Sequence, residues 1–208
     1  MSLLTPWGYS LNDVDSLPAV LTVDEFNQIT AFKYDGDVRT EQNLSAASAA
    51  IRNYCGWHVC PELSCEFDTT FFDYRVTEFR GGLFIQLPAA FVSSVESITI
   101  GDSEYDTFVL DHNGILRVYG INKVCMPPYT NISVVYTAGV PSGLASAIKE
   151  LAAHRVTHAL VSSAGVQSET AGGVSITYNA SWVNGSRATA LVDDNKEVLQ
   201  PYRIQGVF

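Results

Sequence analysis

The chain has 208 residues, 47% of them apolar and only 16% charged, so a sizeable core forms without help from disulfides or metal. Its 12 Lys and Arg stand against 22 Asp and Glu, a net charge of −10, which argues against direct nucleic-acid binding because phosphate contacts need cations. No run nears the roughly 18 consecutive apolar residues of a membrane helix.

The first residues, MSLLTPWGYSLNDVDSLPAV, lack the basic stretch of a signal peptide, so synthesis in the cytoplasm is expected, with residues 1–20 as an N-terminal extension. Thr22-Val23-Asp24-Glu25 is a capping box, a hydroxyl followed three residues later by Glu. It opens a short helix to about Ala31, with Phe26 and Ile29 on the buried side. Gly36 makes a turn and Asp37 caps a second helix, EQNLSAASAAIRNYCGW, Glu41 to Trp57.

In that helix Leu44, Ala47, Ile51, Tyr54 and Cys55 share one arc at helical spacing and form its core stripe. Gly56 stands where a left-handed residue ends a helix, and Trp57 can fold back as its apolar contact. Small residues fill the opposite strip, where Lys and Glu would normally meet solvent. They let another helix approach closely, and that neighbour belongs either to the same chain or to a second copy.

From Leu63 to Thr137 the period changes to two. Leu63, Cys65 and Phe67 alternate with polar residues, and Arg80 to Gly82 turns into LFIQLP. VESITI is another strand. DTFVLDHNGILRVYG is a hairpin with Asn113-Gly114 at its tip, and NISVVYT alternates Ile132, Val134 and Tyr136. Short strands with no helix between them predict a small antiparallel sandwich or barrel. A further helix follows, from Leu144 to about Ser162, burying Leu144, Ile148, Leu151, Ala152, Val156 and Ala159. SSAGVQSETAGG is expected as a flexible loop, VSITYN as a strand, and the remainder as a weak helix ended by Pro201 and an extended tail.

The expected fold class is therefore α+β, a small helical bundle with an inserted antiparallel sandwich or barrel-like subdomain. Residues 21–62 and 138–163 make the helical core, 63–137 the β-rich insertion, and 164–208 a loop, strand and C-terminal helix with tail.

Three sets of residues invite chemistry. Cys55, Cys60 and Cys65 surround His58, but structural zinc sites use tighter Cys-x-x-Cys pairs, and two of these thiols fall on core stripes, so buried thiols are the expectation. His154 and His158 lie one turn apart with Glu150 a turn earlier. A zincin helix needs Glu directly after its first His, and Arg155 stands there instead. Arg155 itself falls within the apolar arc, and a guanidinium there needs an acidic partner, within the chain or across a subunit contact, with the contact favoured. No phosphate loop, nucleophile elbow or catalytic Cys/His pair is present. No enzyme, no cofactor and no metal are expected.

The order LTVDEF, NLSAASAAIRNYCGW, VSSVESITIGDSEYDTFVLDHNGILRV, ISVVYTAGVPSGLASAIKELAAHRV and GVQSETAGGVSITYN resembles the head–tail connector (adaptor) proteins of tailed bacteriophages and prophage-derived particles. The resemblance runs from about Leu21 to Asn179. It implies a structural homo-oligomeric ring, usually about a dozen copies, set beneath the portal protein at the capsid vertex. Such a ring continues the DNA conduit without binding DNA specifically, and meets a stopper or tail-completion protein below. The location implied is the virion neck, with host cytoplasm before assembly. Carried over, the subunit interface takes in Ser45, Ala46, Ala49, Arg52 and Arg155. The segment with Pro201, Tyr202, Arg203, Ile204 and Phe208 becomes a portal-docking tail. Competing expectations are a stopper or tail-completion protein, which should be mainly β, and a small β-rich glycan-binding module using Trp57, Trp182 or Tyr residues.

Overall fold

The computed structural model describes residues 2–31, 38–121, 127, 129–161, 168–171, 174–177 and 193–204. The expected cap Asp37, the loop 162–167, Trp182 and Phe208 lie outside them. The chain divides into a β unit, Met1–Pro18 with Cys55–Ser142 and Tyr202–Phe208, and a helical unit, Ala19–Tyr54 with Gly143–Pro201. The fold class is α+β, as expected.

The β unit holds two antiparallel sheets. Strands β1 (Leu3–Leu4), β2 (Ser10–Leu11), β3 (Leu63–Thr70), β6 (Val92–Ile100), β7 (Ser103–Glu104) and β10 (Asn131–Ala138) form one, ordered β1-β2-β3-β10-β6-β7. Strands β4 (Val76–Phe79), β5 (Gly82–Gln86), β8 (Phe108–Asp111) and β9 (Ile115–Tyr119) form the other, ordered β4-β5-β9-β8. Neither closes into a barrel. Register follows the alternation: Val134 lies opposite both Phe67 and Ile98, and all three are buried. In the second sheet Leu83, Ile85, Leu116 and Val118 are fully buried. At the hairpin tip Asn113 and Gly114 take φ of 67° and 71°, the backbone that a tight turn between twisted strands demands.

Residues 1–18 are more than an extension. Leu11 pairs with Cys65 on β3, and Tyr9 and Leu11 are buried in the core. The Tyr9 hydroxyl donates to His58 Nδ1 (2.8 Å) and accepts the His58 backbone N–H (3.0 Å). His58 Nε2–H donates to the Ala138 carbonyl (2.8 Å), which can only accept. One residue on, a Cβ on Gly139 would lie 2.4 Å from Glu62 Cα and 2.6 Å from its backbone nitrogen, so only glycine lets these segments meet. The Gly139 and Val140 N–H groups then donate to Phe91 (3.0 Å) and Val59 (2.7 Å) carbonyls.

The helical unit carries α1 (Val23–Thr30), α2 (Val38–Cys55, its last residue excepted), α3 (Ser146–Val161) and α4 (Asp193–Leu199). Thr22 Oγ1 accepts the Glu25 N–H (3.3 Å) and the Glu25 carboxylate accepts the Thr22 N–H (3.0 Å), completing the capping box. α1 packs on α3, where Lys149 pairs with Glu25, and α3 also packs on α4. Phe26 is buried, but Ile29, in the last turn of α1, is 42% exposed. Leu144 is also exposed: a turn places it ahead of α3 rather than on its apolar face. The expected flexible loop is in part ordered, since β11 (Ser168–Ala171) pairs antiparallel with β12 (Val174–Thr177).

Candidate subunit interface and C-terminal anchor

Helix α2 sorts its residues much as the periodicity requires. Leu44, Ala47, Ile51 and Cys55 are buried, Tyr54 is half-buried, and Gly56 ends the helix at φ 81°. Tyr54 is held at the other end, its hydroxyl donating to Gln200 Oε1 (3.0 Å). Ser45, Ala46 and Ala49 all face solvent, at i, i+1 and i+4 of one strip. Ser48, equally small, is used inside the chain: its Oγ donates to Leu44 O (2.7 Å) and accepts the Val20 N–H (3.0 Å).

Arg52 does not share the exposure of that strip, being only 4% exposed within the chain. Arg155 is half-buried on α3, and desolvation lowers its guanidinium from the ordinary value. So the five expected interface residues fall into an exposed strip of three small ones and two arginines drawn inward.

The expected docking tail starts with an anchor on its own β unit. The Trp57 indole N–H donates to the Tyr202 carbonyl (2.7 Å), and the Ile204 N–H donates to the Cys55 carbonyl (3.0 Å), one of the terminal helix carbonyls that lack an intrahelical partner. The Tyr202 ring lies 5.7 Å from Phe91, which stacks on Trp57 at 6.2 Å and 12°. Tyr202 and Ile204 are half-buried, while Pro201 and Arg203 are exposed. The anchor was not legible beforehand. Its only trace was an aromatic residue straight after a helix-ending glycine, expected to fold back on its own helix. Trp57 is fully buried, which removes it from any sugar-stacking surface.

The thiols are structural. Cys55, Cys60 and Cys65 are buried and unbridged. Burial pushes Cys55 and Cys65 up to about 12. Both His58 ring nitrogens are taken by protein partners, and among the described residues no three His, Cys, Asp or Glu side chains form a metal cluster. On α3, His154 and Glu150 are exposed. No helix among the described residues is long and apolar enough to cross a membrane.

Residues 19–203 match the family model "Head completion protein", and the chain belongs to that family, which is structural rather than enzymatic. The resemblance to head–tail connector proteins and the absence of an enzymatic role both agree with this membership. The fold is similar to a chain in the "Neck of native GTA particle computed with C12 symmetry", at TM-score 0.51 and 19% identity over 95% of this chain and 97% of that one. It is also similar to a chain in the "Neck of empty GTA particle computed with C6 symmetry", at TM-score 0.52 and 20% identity with the same coverage. No curated protein matches the chain.

Proposed function

We propose that the chain is the subunit of a neck ring, about a dozen copies around one axis, joining the portal protein at the capsid vertex to a stopper or tail-completion protein. The observation that carries this is the exposed Ser45, Ala46 and Ala49 strip on a helix whose opposite face already fills the core. A neighbouring subunit is the occupant that suits such a strip, since small residues permit close helix approach. Membership of the head completion protein family, and a fold shared with a chain from a neck computed with C12 symmetry, support the same reading.

In this arrangement the tail is held at Tyr202 and Ile204, and the residues through Phe208 reach the portal. Arg52 and Arg155 act behind the interface, steadying the helices that present it. A net charge of −10 lets DNA pass along the conduit without being retained. Copies wait in the host cytoplasm and join the virion at the head–tail junction. Native mass measurement and particle images, with and without the portal protein, test the proposal. A ring of about a dozen copies, or one that forms only on the portal, supports it. Strict monomers that ignore the portal refute it.

A further inference from the structure

Three aromatic side chains stand exposed where the loop between β3 and β4 meets the segment before β10. Phe72 is 67% exposed, Tyr74 69% and Tyr129 80%, beyond the scattered single apolar residues that any surface carries. The Phe71 N–H donates to the Thr130 carbonyl (3.2 Å), and Phe72 meets Tyr129 edge-on with ring centroids 6.0 Å apart. Loop and segment therefore present one patch. Arg75 completes it. Its Nε–H donates to the Tyr74 hydroxyl (3.0 Å), and its guanidinium carbon lies 5.2 Å from the Tyr74 ring and 5.4 Å from the buried Phe67 ring. The carboxylate of Asp73 is committed elsewhere: Oδ1 accepts the Arg75 backbone N–H (2.9 Å) and Oδ2 the Thr69 hydroxyl (2.8 Å). Arg75 thus makes no ion pair among the described residues.

The complementary charge lies at the other edge of the same sheet. Arg75 sits against the turn between β1 and β2, its Nη1 3.6 Å from where a Cβ on Gly8 would lie. At the far edge Asp102, Glu104 and Asp106 lie on and around β7, all exposed and none in an ion pair among the described residues. We infer that these two edges meet between neighbouring copies: the acidic β7 edge of one docks on Arg75 and the exposed rings of the next. The inference rests on the ring proposed above and adds a contact to the α2 strip. Charge complementarity selects a second copy as occupant, because each chain carries both halves at opposite edges of one sheet. A contact between two different patches, repeated by one rotation, uses every patch and closes a ring. A guanidinium already held against two rings and short of a carboxylate is a ready receptor for one. Tyr and Arg are also the side chains that interface hot spots favour.

Two variants test the contact, each altered at one edge only: Arg75→Glu, and Asp102→Lys combined with Glu104→Lys. Each alone should raise the concentration needed for ring formation about tenfold or more, because every junction then sets like charges together. An equimolar mixture of the two should assemble near the wild-type concentration, since alternating copies restore opposite charges at every junction. If Arg75→Glu melts below the wild type, Tyr129→Glu, at a fully peripheral ring, takes its place in the mixture. Tyr129→Ser should weaken assembly with an unchanged melting temperature. Assembly at the wild-type concentration by the β7-edge variant and by Tyr129→Ser overturns the contact while leaving the ring intact. So does a mixture that assembles no better than its components. Normal rings that no longer bind the portal or stopper protein assign the patch to that partner and overturn the copy–copy contact. Wild-type protein that forms no ring with or without the portal protein removes the ring, and this contact with it.

Discussion

Ala49→Trp puts the largest side chain onto the middle of the exposed α2 strip. In the isolated chain the new ring points to solvent, so the loss is mainly helix propensity, about 0.5 kcal/mol relative to Ala. For a chain of this size that lowers the melting temperature by about 1–2 °C. Between subunits the effect is of another order. Interhelical distances run from about 8 to 10 Å according to the side chains at the contact, and a Trp where Ala stood forces the helices to the far end of that range or beyond. A loss of about 1.4 kcal/mol per contact already weakens each association tenfold, and a ring repeats the loss at every junction. Thermal melting of the monomer and native mass of the assembly, measured on one preparation, separate the two effects. The expected outcome is a folded monomer with unchanged circular dichroism that no longer forms rings. Unfolding of the monomer would show that the strip is core, and normal rings would show that no subunit touches it.

Tyr9→Phe removes one hydroxyl but strands two buried partners, the His58 N–H and Nδ1, at about 1–3 kcal/mol each, so chemical denaturation should show a loss of about 2–6 kcal/mol. Cys55 and Cys65, held up to about 12 from 9.0, should resist iodoacetamide at pH 8 in the native state and react in urea. Because their folded pKa values are raised, the stability they contribute is whole below pH 9 and is lost as pH rises towards 12, which alkaline unfolding curves should show. Glu25 behaves oppositely: burial raises it, but hydrogen bonds from Lys149 and Thr22 outweigh that and lower it. Its contribution should be present above pH 4.5 and fade in acid, and Glu25→Gln should flatten that part of the curve. Truncation after Pro201 should red-shift Trp57 fluorescence and lower stability. Truncation after Ile204 should leave the fluorescence unchanged while abolishing portal docking.

Local signals carried a large part of this protein in its sequence. Thr22 to Glu25 fixed a helix start because both halves of a capping box lie within one turn of chain. Asn113-Gly114 fixed a hairpin tip because few other residues take two successive left-handed conformations. The spacing of Leu44, Ala47 and Ile51, and of Ile132, Val134 and Tyr136, decided which face each element buries. The small strip at Ser45, Ala46 and Ala49 was legible by subtraction from that face.

Only the tertiary structure decided what depends on residues far apart in the chain. Tyr9 and His58 are 49 positions apart, and Trp57 and Tyr202 are 145, so no window of sequence joins them. Ser48 and Arg52 stand on α2 among residues that face solvent, yet both are buried in the folded chain. In LFIQL, every residue from Leu83 to Ile85 is apolar, so alternation alone could not say that Phe84 points outward. The register with β4 and β9 settled that. Short-range periodicity determines elements and faces, because it acts through bonds one turn or one strand pair away. Where those faces close on one another, and what they leave open, is set by contacts made only when the whole chain has folded.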